Sequence, residues 1–411
     1  MRRAAVFLLL LAAGCTAPAP VPPPGQPPSP SPSAPLPWVG TWATAVEGGG
    51  RPFDGHTLRQ SVHTSIGGDI ARLRLTNEFG DRPLMVGAVR LGGSVPVTFG
   101  GTASVTIPAG GTATSDEVPF DVPAGGDVTV SMYLPSPTGP STRHAIAVRH
   151  NQVAAGDQTS AGRLTAPKNE SSWFFLAGLD VRSDAGAVVA FGASITDGLG
   201  SASGANRRWP DLLSDRLRAA GLPVAVLNAG ISGNRLLADD RGPSGMSRFE
   251  RDVLRQPGAR WAIISDDPLN DLGAADPPSA DRIVAALREL ISRAHAAGLR
   301  VICSTLTPFE GAGYFNERAE RGRAQVNAFV RSADSGCDAV LDQDAATRDP
   351  ARPTRFLPRH DSGDHLHPSA DGFQAIADAV DLSWFTAGRP AADGPPPSAR
   401  PPRPARTSAT G

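Results

Sequence analysis

Polar side chains that can carry nucleophilic catalysis lie in two short segments in the C-terminal half of this chain. Ser194 follows the apolar residues of "AVVAFGASITDG", and Asp364 and His367 stand three residues apart in "HDSGDHLHP". A serine hydroxyl becomes a good nucleophile when a base takes its proton, and a carboxylate can fix the tautomer and orientation of a histidine base. We therefore predict that Ser194, Asp364 and His367 form a triad for acyl transfer.

Acyl transfer also needs hydrogen-bond donors for the oxyanion that develops at the carbonyl group. Three candidates follow separate strand-like segments: the backbone N–H of Ser194, the N–H of Gly233 in "NAGISGN" and the side-chain amide of Asn270 in "SDDPLND". The carboxyl ends of parallel strands share one edge of a sheet, where α/β proteins bind their ligands. We predict that these three residues form an oxyanion hole beside the triad.

Other roles are open for the same residues. Ser194 could be the N-cap of a helix, which is a common role of serine after a strand. A zinc ion could be bound by four residues near the C-terminal end, namely His360, Asp364, His365 and His367. The metal alternative leaves the serine, glycine and asparagine positions unexplained, and Asn270 alone could be a plain loop residue. Taken together, the set favours the triad.

The elements that would position these residues begin near residue 183, where short apolar runs alternate with amphipathic helical segments. The strand candidates are 187–191, 224–228, 261–265, 300–305 and 338–342. Strict alternation of strand and helix is typical of right-handed βαβ units and a parallel sheet. Residues 183–388 are therefore predicted to form a flavodoxin-like three-layer α/β/α domain with a parallel five-stranded sheet.

Residues 38–182 carry a different pattern. In "IARLRLTN", Ala71, Leu73 and Leu75 alternate with polar residues, and in "VTVSMYL" apolar residues again recur at every second position. Period-two alternation interrupted by Gly- and Pro-rich turns favours an antiparallel β-sandwich. We predict such a domain ahead of the α/β domain.

The N-terminus indicates export. Arg2 and Arg3 precede an apolar run, and residues 1–15 end in "LAAGC", which resembles a bacterial lipobox with Cys15 as the lipidated residue. Ordinary secretion with cleavage among nearby small residues is the alternative. The mature protein is thus predicted to be exported, either as a cell-surface lipoprotein or as a secreted protein.

Two further segments are too rich in proline to build a core. Residues 16–37 are predicted to be an extended spacer between the anchor and the folded part. Residues 389–411 combine proline with several arginines and are predicted to be a disordered tail.

The composition indicates which partners to expect and leaves open whether two cysteines form a disulfide bond. The formal net charge is −1, Lys168 is the only lysine, and no basic stripe with interleaved aromatic residues occurs, so nucleic-acid binding is not predicted. Contact with a membrane is expected only through the lipid anchor. Cys303 and Cys337 of an exported chain could form a disulfide bond or could be two small buried apolar residues.

Four segments of the chain carry a family resemblance. "FGASITDG", "NAGISGN", "LND" and "DHLHP" resemble the four blocks of the SGNH (GDSL-type) hydrolases, and "RRWPDLL", "TLTPF" and "HPSADGFQAIADAV" look like exported actinobacterial members with an N-terminal β domain. The resemblance implies that Ser194 is the nucleophile, that Gly233 and Asn270 complete the oxyanion hole, and that Asp364 and His367 are the acid–base pair. It implies no metal and no organic cofactor.

Two positions depart from the blocks of that family. Ala193 stands where the first block has an aspartate, so we expect a looser turn around the serine. Pro268 stands at the glycine position of the third block, and its fixed φ and missing N–H predict a reshaped loop and a displaced Asn270, unless a cis peptide bond restores the geometry. Asp266 and Asp267 add negative charge near the expected oxyanion, which disfavours catalysis.

Two functions of different classes follow from these observations. The first is an exported serine esterase that forms an acyl-serine on small acylated molecules or polysaccharides, with O-acetyl groups on carbohydrate as the expected substrate. The second is a catalytically weakened or inactive relative that binds glycans at the cell surface. The triad positions favour the enzyme, and the "DDP" segment favours the binding protein. The acyl group, the alcohol, transfer to an alcohol instead of water, and the oligomeric state stay open.

Overall fold

The computed structural model describes residues 35–386, and its first half consists of strands. These strands are β1 (Trp38–Ala43), β2 (Glu47–Gly50), β3 (His56–His63), β4 (Gly68–Thr76), β5 (Leu84–Val86), β6 (Ala88–Leu91), β7 (Val95–Val97), β8 (Val105–Ile107), β9 (Thr112–Thr114), β10 (Val118–Val122), β11 (Asp127–Leu134), β12 (Ser141–His144), β13 (Asn151–Ala155), β14 (Lys168–Glu170), β15 (Trp173–Phe174) and β16 (Leu176–Arg182).

The predictions for the chain ends lie outside the described residues. These are the lipobox with Cys15, all but the last residues of the spacer 16–37, and the tail 389–411. Among residues 35–386, no helix has both the length and the apolar character that crossing a membrane requires.

Two antiparallel sheets of the first half enclose a common core. One sheet has the order β1-β16-β4-β10 with β9 beside β4, and the other has the order β14-β13-β3-β11-β6-β7. Leu58 of β3, Leu73 of β4, Met132 of β11 and Leu179 of β16 are fully buried in that core. The antiparallel β-sandwich predicted from period-two alternation is therefore confirmed.

Strands and helices alternate after β16. The strands are β17 (Gly186–Gly192), β18 (Val224–Gly230), β19 (Ala259–Ile264), β20 (Arg300–Ser304), β21 (Ala339–Leu341), β22 (Arg348–Asp349) and β23 (Arg352–Phe356). The helices are α1 (Ser194–Asp197), α2 (Trp209–Ala219), α3 (Gly245–Phe249), α4 (Asp267–Leu272), α5 (Ala280–Ala296), α6 (Glu317–Arg331), α7 (Gln343–Thr347) and α8 (Ala370–Asp378). A π-helical turn continues α3 over Glu250–Leu254, and short 3₁₀ turns cover Ala333–Ser335, Pro358–His360 and Leu382–Phe385.

The predicted parallel five-stranded sheet is confirmed. Its order is β18-β17-β19-β20-β21, and all four neighbouring pairs are parallel. This is the doubly wound order in which the connection reverses direction beside the first strand, where such folds bind ligands. Every residue of the interior strand β17 is buried, as expected for a parallel sheet with both faces covered.

The two halves meet across a continuous interface, and from Leu36 onward the described chain packs as one compact unit. Val39 and Ala45 belong to the core of the α/β region, and the backbone N–H of Val226 donates to the Ser65 hydroxyl at 3.1 Å. Side chains of the β-sandwich can therefore reach the edge of the parallel sheet.

Cys303 at the end of β20 and Cys337 just before β21 form a disulfide bond. The sequence left this pairing open. The bond joins two neighbouring strands of the sheet at positions that are far apart in the chain.

Candidate active site

The serine turn connects β17 to α1. Ala193 occupies the N-cap position of α1 and makes no side-chain cap bond, whereas Ser194 is the first residue of the helix. The Ser194 side chain does not cap the helix, because its hydroxyl lies 2.9 Å from Nε2 of His367. The alternative in which Ser194 is only a helix cap therefore does not describe this turn.

Asp266, which follows β19, holds the start of α1 in place. Its Oδ2 accepts a hydrogen bond from the backbone N–H of Ile195 at 2.8 Å, and its Oδ1 accepts one from the Thr196 hydroxyl at 2.5 Å. The looser turn expected from Ala193 is not observed, because a carboxylate from a different strand supplies the missing hydrogen bonds. Both oxygens of Asp266 thus accept hydrogen bonds from α1.

Pro268 does not reshape the third block in the way that its φ restriction suggested. Asp266 is the N-cap of α4 and Pro268 is the second residue of that helix, where a missing N–H removes no intrahelical bond. No cis peptide bond occurs among residues 35–386, so the cis alternative was wrong. Asn270 lies in the same helix and donates from Nδ2 to the backbone carbonyl of Asn234 at 2.8 Å.

The acid–base loop precedes α8. Nδ1 of His367 lies 2.6 Å from Oδ2 of Asp364, and Oδ1 of Asp364 accepts hydrogen bonds from the N–H groups of Leu366 and His367 at 3.0 and 2.9 Å. Partial burial opposes ionisation, but the hydrogen bonds from the His367 ring and from both amides hold the pKa of Asp364 below its ordinary value. Asp364 is therefore ionised at neutral pH and can fix the tautomer of His367.

The structure thus joins Ser194, His367 and Asp364 in one chain of hydrogen bonds, while their catalytic roles stay predictions. Nε2 of His367 faces the serine hydroxyl, and Nδ1 faces the carboxylate. Ser194 is 7% exposed, so most of this residue is buried. This arrangement can move a proton from the hydroxyl to the imidazole.

The three predicted oxyanion donors lie on two helices and one loop: Ser194 begins α1, Asn270 lies in α4, and Gly233 lies in the loop after β18. Among the described residues, the N–H groups of Ser194 and Gly233 have no hydrogen-bond acceptor. Gly233 has φ +80°, a conformation that side chains rarely adopt, so the loop requires glycine at this position. Asn270 uses one of its two amide hydrogens on Asn234, which leaves the second available.

Arg248 of α3 is the principal residue that the sequence analysis missed. Its side chain is fully buried and donates to the carbonyls of Gly192, the last residue of β17, and Ala229, the residue before the end of β18, at 2.8 and 2.7 Å. It also donates to the side chains of Asn234 at 2.8 Å and Asp267 at 3.1 Å. Arg248 therefore fixes both strand ends, the Gly233 loop and the start of α4 together. An arginine in "GMSRFERDVL" carries no local signal of burial.

Asp267 pairs with this buried arginine and has a raised pKa. Burial raises the pKa of Asp267 to about 7, although the charge of Arg248 acts in the opposite direction. Its Oδ1 accepts a hydrogen bond from Nη2 of Arg248 at 3.1 Å. The expectation that Asp267 adds a free negative charge to the oxyanion site is therefore not supported.

The histidines of the metal alternative point to different partners. The ring of His365 pairs with Asp361 through Nδ1 at 2.5 Å, and Nδ1 of buried His360 lies 3.4 Å from the carbonyl oxygen of Thr347. Within residues 35–386, no group of three or more His, Cys, Asp or Glu side chains is arranged to hold a metal ion.

Comparison with known proteins places the serine, oxyanion and acid–base loops within one family match. Residues 190–375 match the family of GDSL-like lipases and acylhydrolases. Similar solved structures include a lipase/acylhydrolase from Enterococcus faecalis, with 22% identity, 47% of this chain and 92% of that chain covered, and a TM-score of 0.39. A GDSL-like lipase from Bacteroides thetaiotaomicron has 18% identity, covers 47% of this chain and 84% of that chain, and has a TM-score of 0.37. An acetyl xylan esterase has 18% identity, covers 49% of this chain and 99% of that chain, and has a TM-score of 0.36. No curated protein sequence matches this chain at a significant level.

Proposed function

We propose that this chain, whose residues 190–375 match the GDSL-like lipase/acylhydrolase family, is a serine esterase that cleaves small acyl esters through an acyl-serine intermediate. The observation that carries the proposal is the continuous contact from Ser194 Oγ to His367 Nε2 at 2.9 Å and from His367 Nδ1 to Asp364 Oδ2 at 2.6 Å. A nucleophile, a base and an orienting carboxylate in this order are the parts that acyl transfer needs.

In the first half of the reaction, the Ser194 hydroxyl attacks the carbonyl carbon of the ester while His367 accepts the hydroxyl proton at Nε2. The carbonyl oxygen becomes an oxyanion, which the N–H groups of Ser194 and Gly233 and the free amide hydrogen of Asn270 stabilise. The intermediate then expels the alcohol, which takes the proton from His367. The product is acyl-Ser194.

In the second half, His367 removes a proton from water as the water oxygen attacks the acyl carbon. The same three donors hold the second oxyanion, and collapse returns the proton to Ser194 and releases the carboxylic acid. Asp364 stays ionised throughout and stabilises the imidazolium form of His367 at each step.

We further propose that the substrate is a small O-acyl ester, with O-acetyl groups on carbohydrate as the first class to test. The support is the low exposure of Ser194, 7%, since a bulky acyl group has little access to a mostly buried serine. Export is proposed from the "LAAGC" segment that ends at Cys15, either as a lipoprotein or as a secreted protein. The disulfide between Cys303 and Cys337 supports an oxidising compartment.

A direct experiment uses the purified chain with a serine-directed fluorophosphonate and a series of aryl esters from acetate to octanoate. We expect labelling and turnover in the wild type, a preference for acetate, and loss of both signals in Ser194→Ala. Ser203→Ala is the matched control, because this exposed serine lies on the loop after α1, and it should retain both signals.

Two results would contradict the proposal. Turnover that survives in Ser194→Ala would place the chemistry elsewhere. Silence of the folded wild type toward all probes, together with binding of a glycan array, would support the non-catalytic glycan-binding alternative.

A further inference from the structure

A second His–Asp pair lies at the boundary between the β-sandwich and the α/β region. His144 is the last residue of β12, and Asp197 is the last residue of α1. Nε2 of His144 lies 3.0 Å from Oδ1 of Asp197, and the two residues are 3% and 1% exposed. The proposed mechanism does not use this pair, although Asp197 stands three residues after the nucleophile.

The hydrogen-bond partners of the His144 ring define its protonation state. Nδ1 lies 2.8 Å from the carbonyl oxygen of Ala45, and Nε2 faces the carbonyl oxygen of Ile146 at 3.1 Å in addition to the Asp197 carboxylate. All of these partners are acceptors, so both ring nitrogens must donate, which only an imidazolium can do. Burial lowers the pKa of His144, but the charge and hydrogen bond of Asp197 outweigh it and raise the pKa overall.

The other oxygen of the Asp197 carboxylate holds the oxyanion loop. Oδ2 accepts the backbone N–H of Ser232 at 3.0 Å and the Ser232 hydroxyl at 2.5 Å. Ser232 directly precedes Gly233, whose N–H is one of the proposed oxyanion donors. One buried carboxylate therefore joins the helix that begins at Ser194 to the loop that carries Gly233.

We propose that His144 of the β-sandwich is a positioning residue of the active site, which holds Asp197 and, through Asp197, the Ser194 helix and the Gly233 oxyanion loop. The proposal rests on the esterase function proposed above for its kinetic test. It also gives the β-sandwich a role: this region supplies a charged part of the active-site scaffold. A buried carboxylate without its cation is costly, so removal of the His144 charge should move Asp197 or its partners.

Other charges near the pair do not replace His144. Nη1 of Arg208 lies 4.0 Å from Oδ1 of Asp197, too far for a hydrogen bond, and it approaches from the side of α2. Glu47 of β2 is a nearby carboxylate and would oppose, not balance, the charge of Asp197. The His144 ring is thus the cation in hydrogen-bond contact with Asp197.

The experiment compares His144→Gln with His63→Gln in the full chain. His63 is a well-matched control because it is also a β-sandwich histidine that pairs with an aspartate, Asp127 at 2.7 Å, and contacts the α/β region at Asn206, 3.0 Å away. We expect kcat on an aryl acetate to fall about 100-fold in His144→Gln with KM changed less than about threefold, since small displacements of catalytic donors cost about this much. His63→Gln should keep kcat within about threefold of the wild type.

The double variant His144→Gln/Asp197→Asn provides a rescue test, because two neutral amides can still form one hydrogen bond. We expect it to recover at least about tenfold of the lost kcat. Equal losses in His144→Gln and His63→Gln, or a kcat of His144→Gln within twofold of the wild type, would overturn the positioning role.

Two readouts do not depend on activity and separate this proposal from the esterase function. Hydrogen–deuterium exchange over residues 230–236 should be faster in His144→Gln than in the wild type and unchanged in His63→Gln. If His144→Gln does not fold, ¹⁵N chemical shifts of the histidine rings in the wild type decide, because His144 should be doubly protonated at pH 7. A neutral His144 ring, or unchanged exchange over residues 230–236 in a folded His144→Gln, would overturn the proposal even if the wild type is an active esterase.

Discussion

The two sides of the candidate active site are held in place by different kinds of interaction. On the acid–base side, Asp364 accepts hydrogen bonds from the N–H groups of Leu366 and His367, two and three residues later in the chain. Its side chain is 53% exposed. On the nucleophile side, Arg248 and Asp266 come from distant parts of the chain, and both are buried. The acid–base side is therefore held by local hydrogen bonds near solvent, whereas the nucleophile side is held by long-range contacts of buried charged residues.

This difference predicts how each side responds to change. Exposed ion pairs contribute about 0–1 kcal/mol to stability, so a substitution in the acid–base loop should alter the reaction and leave the fold intact. A buried ion that loses its partner costs about 3–5 kcal/mol, so a substitution on the nucleophile side should alter both. Each of the following predictions tests whether stability and activity separate in this way.

The largest effect is expected for Asp364→Asn on the acid–base side. The amide can still accept the backbone N–H bonds with its oxygen, but its NH₂ group favours the wrong tautomer of His367. We expect kcat to fall about 10⁴-fold, while the free energy of unfolding changes by less than about 1 kcal/mol. Steady-state kinetics and urea unfolding measure the two quantities.

Asp361→Asn is the control for that prediction, since Asp361 lies in the same loop and pairs with His365. It should leave kcat within about tenfold of the wild type. A large loss of stability in Asp364→Asn would show that the acid–base loop also depends on long-range contacts, and the comparison between the two sides would fail.

Arg248→Met should have the next largest effect, on stability. It leaves the buried carboxyl group of Asp267 without its arginine partner and removes the donors from two strand-end carbonyls. Asp252 also loses one contact but keeps its pairing with Arg251 at 2.6 Å. We expect the free energy of unfolding to fall by about 3–5 kcal/mol. Arg255→Met, at an arginine whose side chain is 74% exposed, should change it by less than about 1 kcal/mol. Equal effects of the two substitutions would remove the distinction between buried and exposed charges.

The same difference explains what the sequence could predict. The strands of the parallel sheet were located to within a few residues because each is a short apolar run between helical segments. Asp364 and His367 were paired from their spacing alone, because both lie in one tight loop. In both cases the signal and the structure that it predicts occupy the same short stretch of chain.

Long-range contacts gave no such signal. Arg248 stands in a polar helical segment, and its burial depends on two strand ends and a loop that lie elsewhere in the chain. From the sequence, Asp266 is an unfavourable charge near the oxyanion, because the sequence does not show that the N–H of Ile195 and the hydroxyl of Thr196 donate to it. Pro268 was compared with a glycine, but its effect depended on its position in α4, which only the structure defines.

The smallest predicted effect concerns pH and contrasts Asp267 with Asp364. The pKa of Asp267 is raised from 3.8 to about 7 by burial, so the folded state binds this proton more tightly than the unfolded state does. Its contribution to stability is fully present below about pH 4 and is lost as the pH rises to 7. The pKa of Asp364 is lowered, so its contribution has the opposite sign: it is present above the unfolded pKa and is lost on acidification.

Asp267→Asn should therefore remove the decrease in the free energy of unfolding that ionisation of Asp267 causes in the wild type as the pH rises. The asparagine keeps an oxygen acceptor for Arg248 and cannot ionise, so the stability of the variant relative to the wild type should increase between pH 5 and pH 8. We expect an increase of about 1–3 kcal/mol at about 1.4 kcal/mol per unit of pKa shift, which is below the full effect because the part of the shift between 3.8 and 5 lies outside this pH interval. Urea unfolding at the two pH values measures the change. If the free energy of unfolding of the variant relative to the wild type is the same at pH 5 and pH 8, Asp267 is already ionised at pH 5. Arg248 would then stabilise a buried carboxylate as fully as solvent stabilises the exposed carboxylate of Asp364.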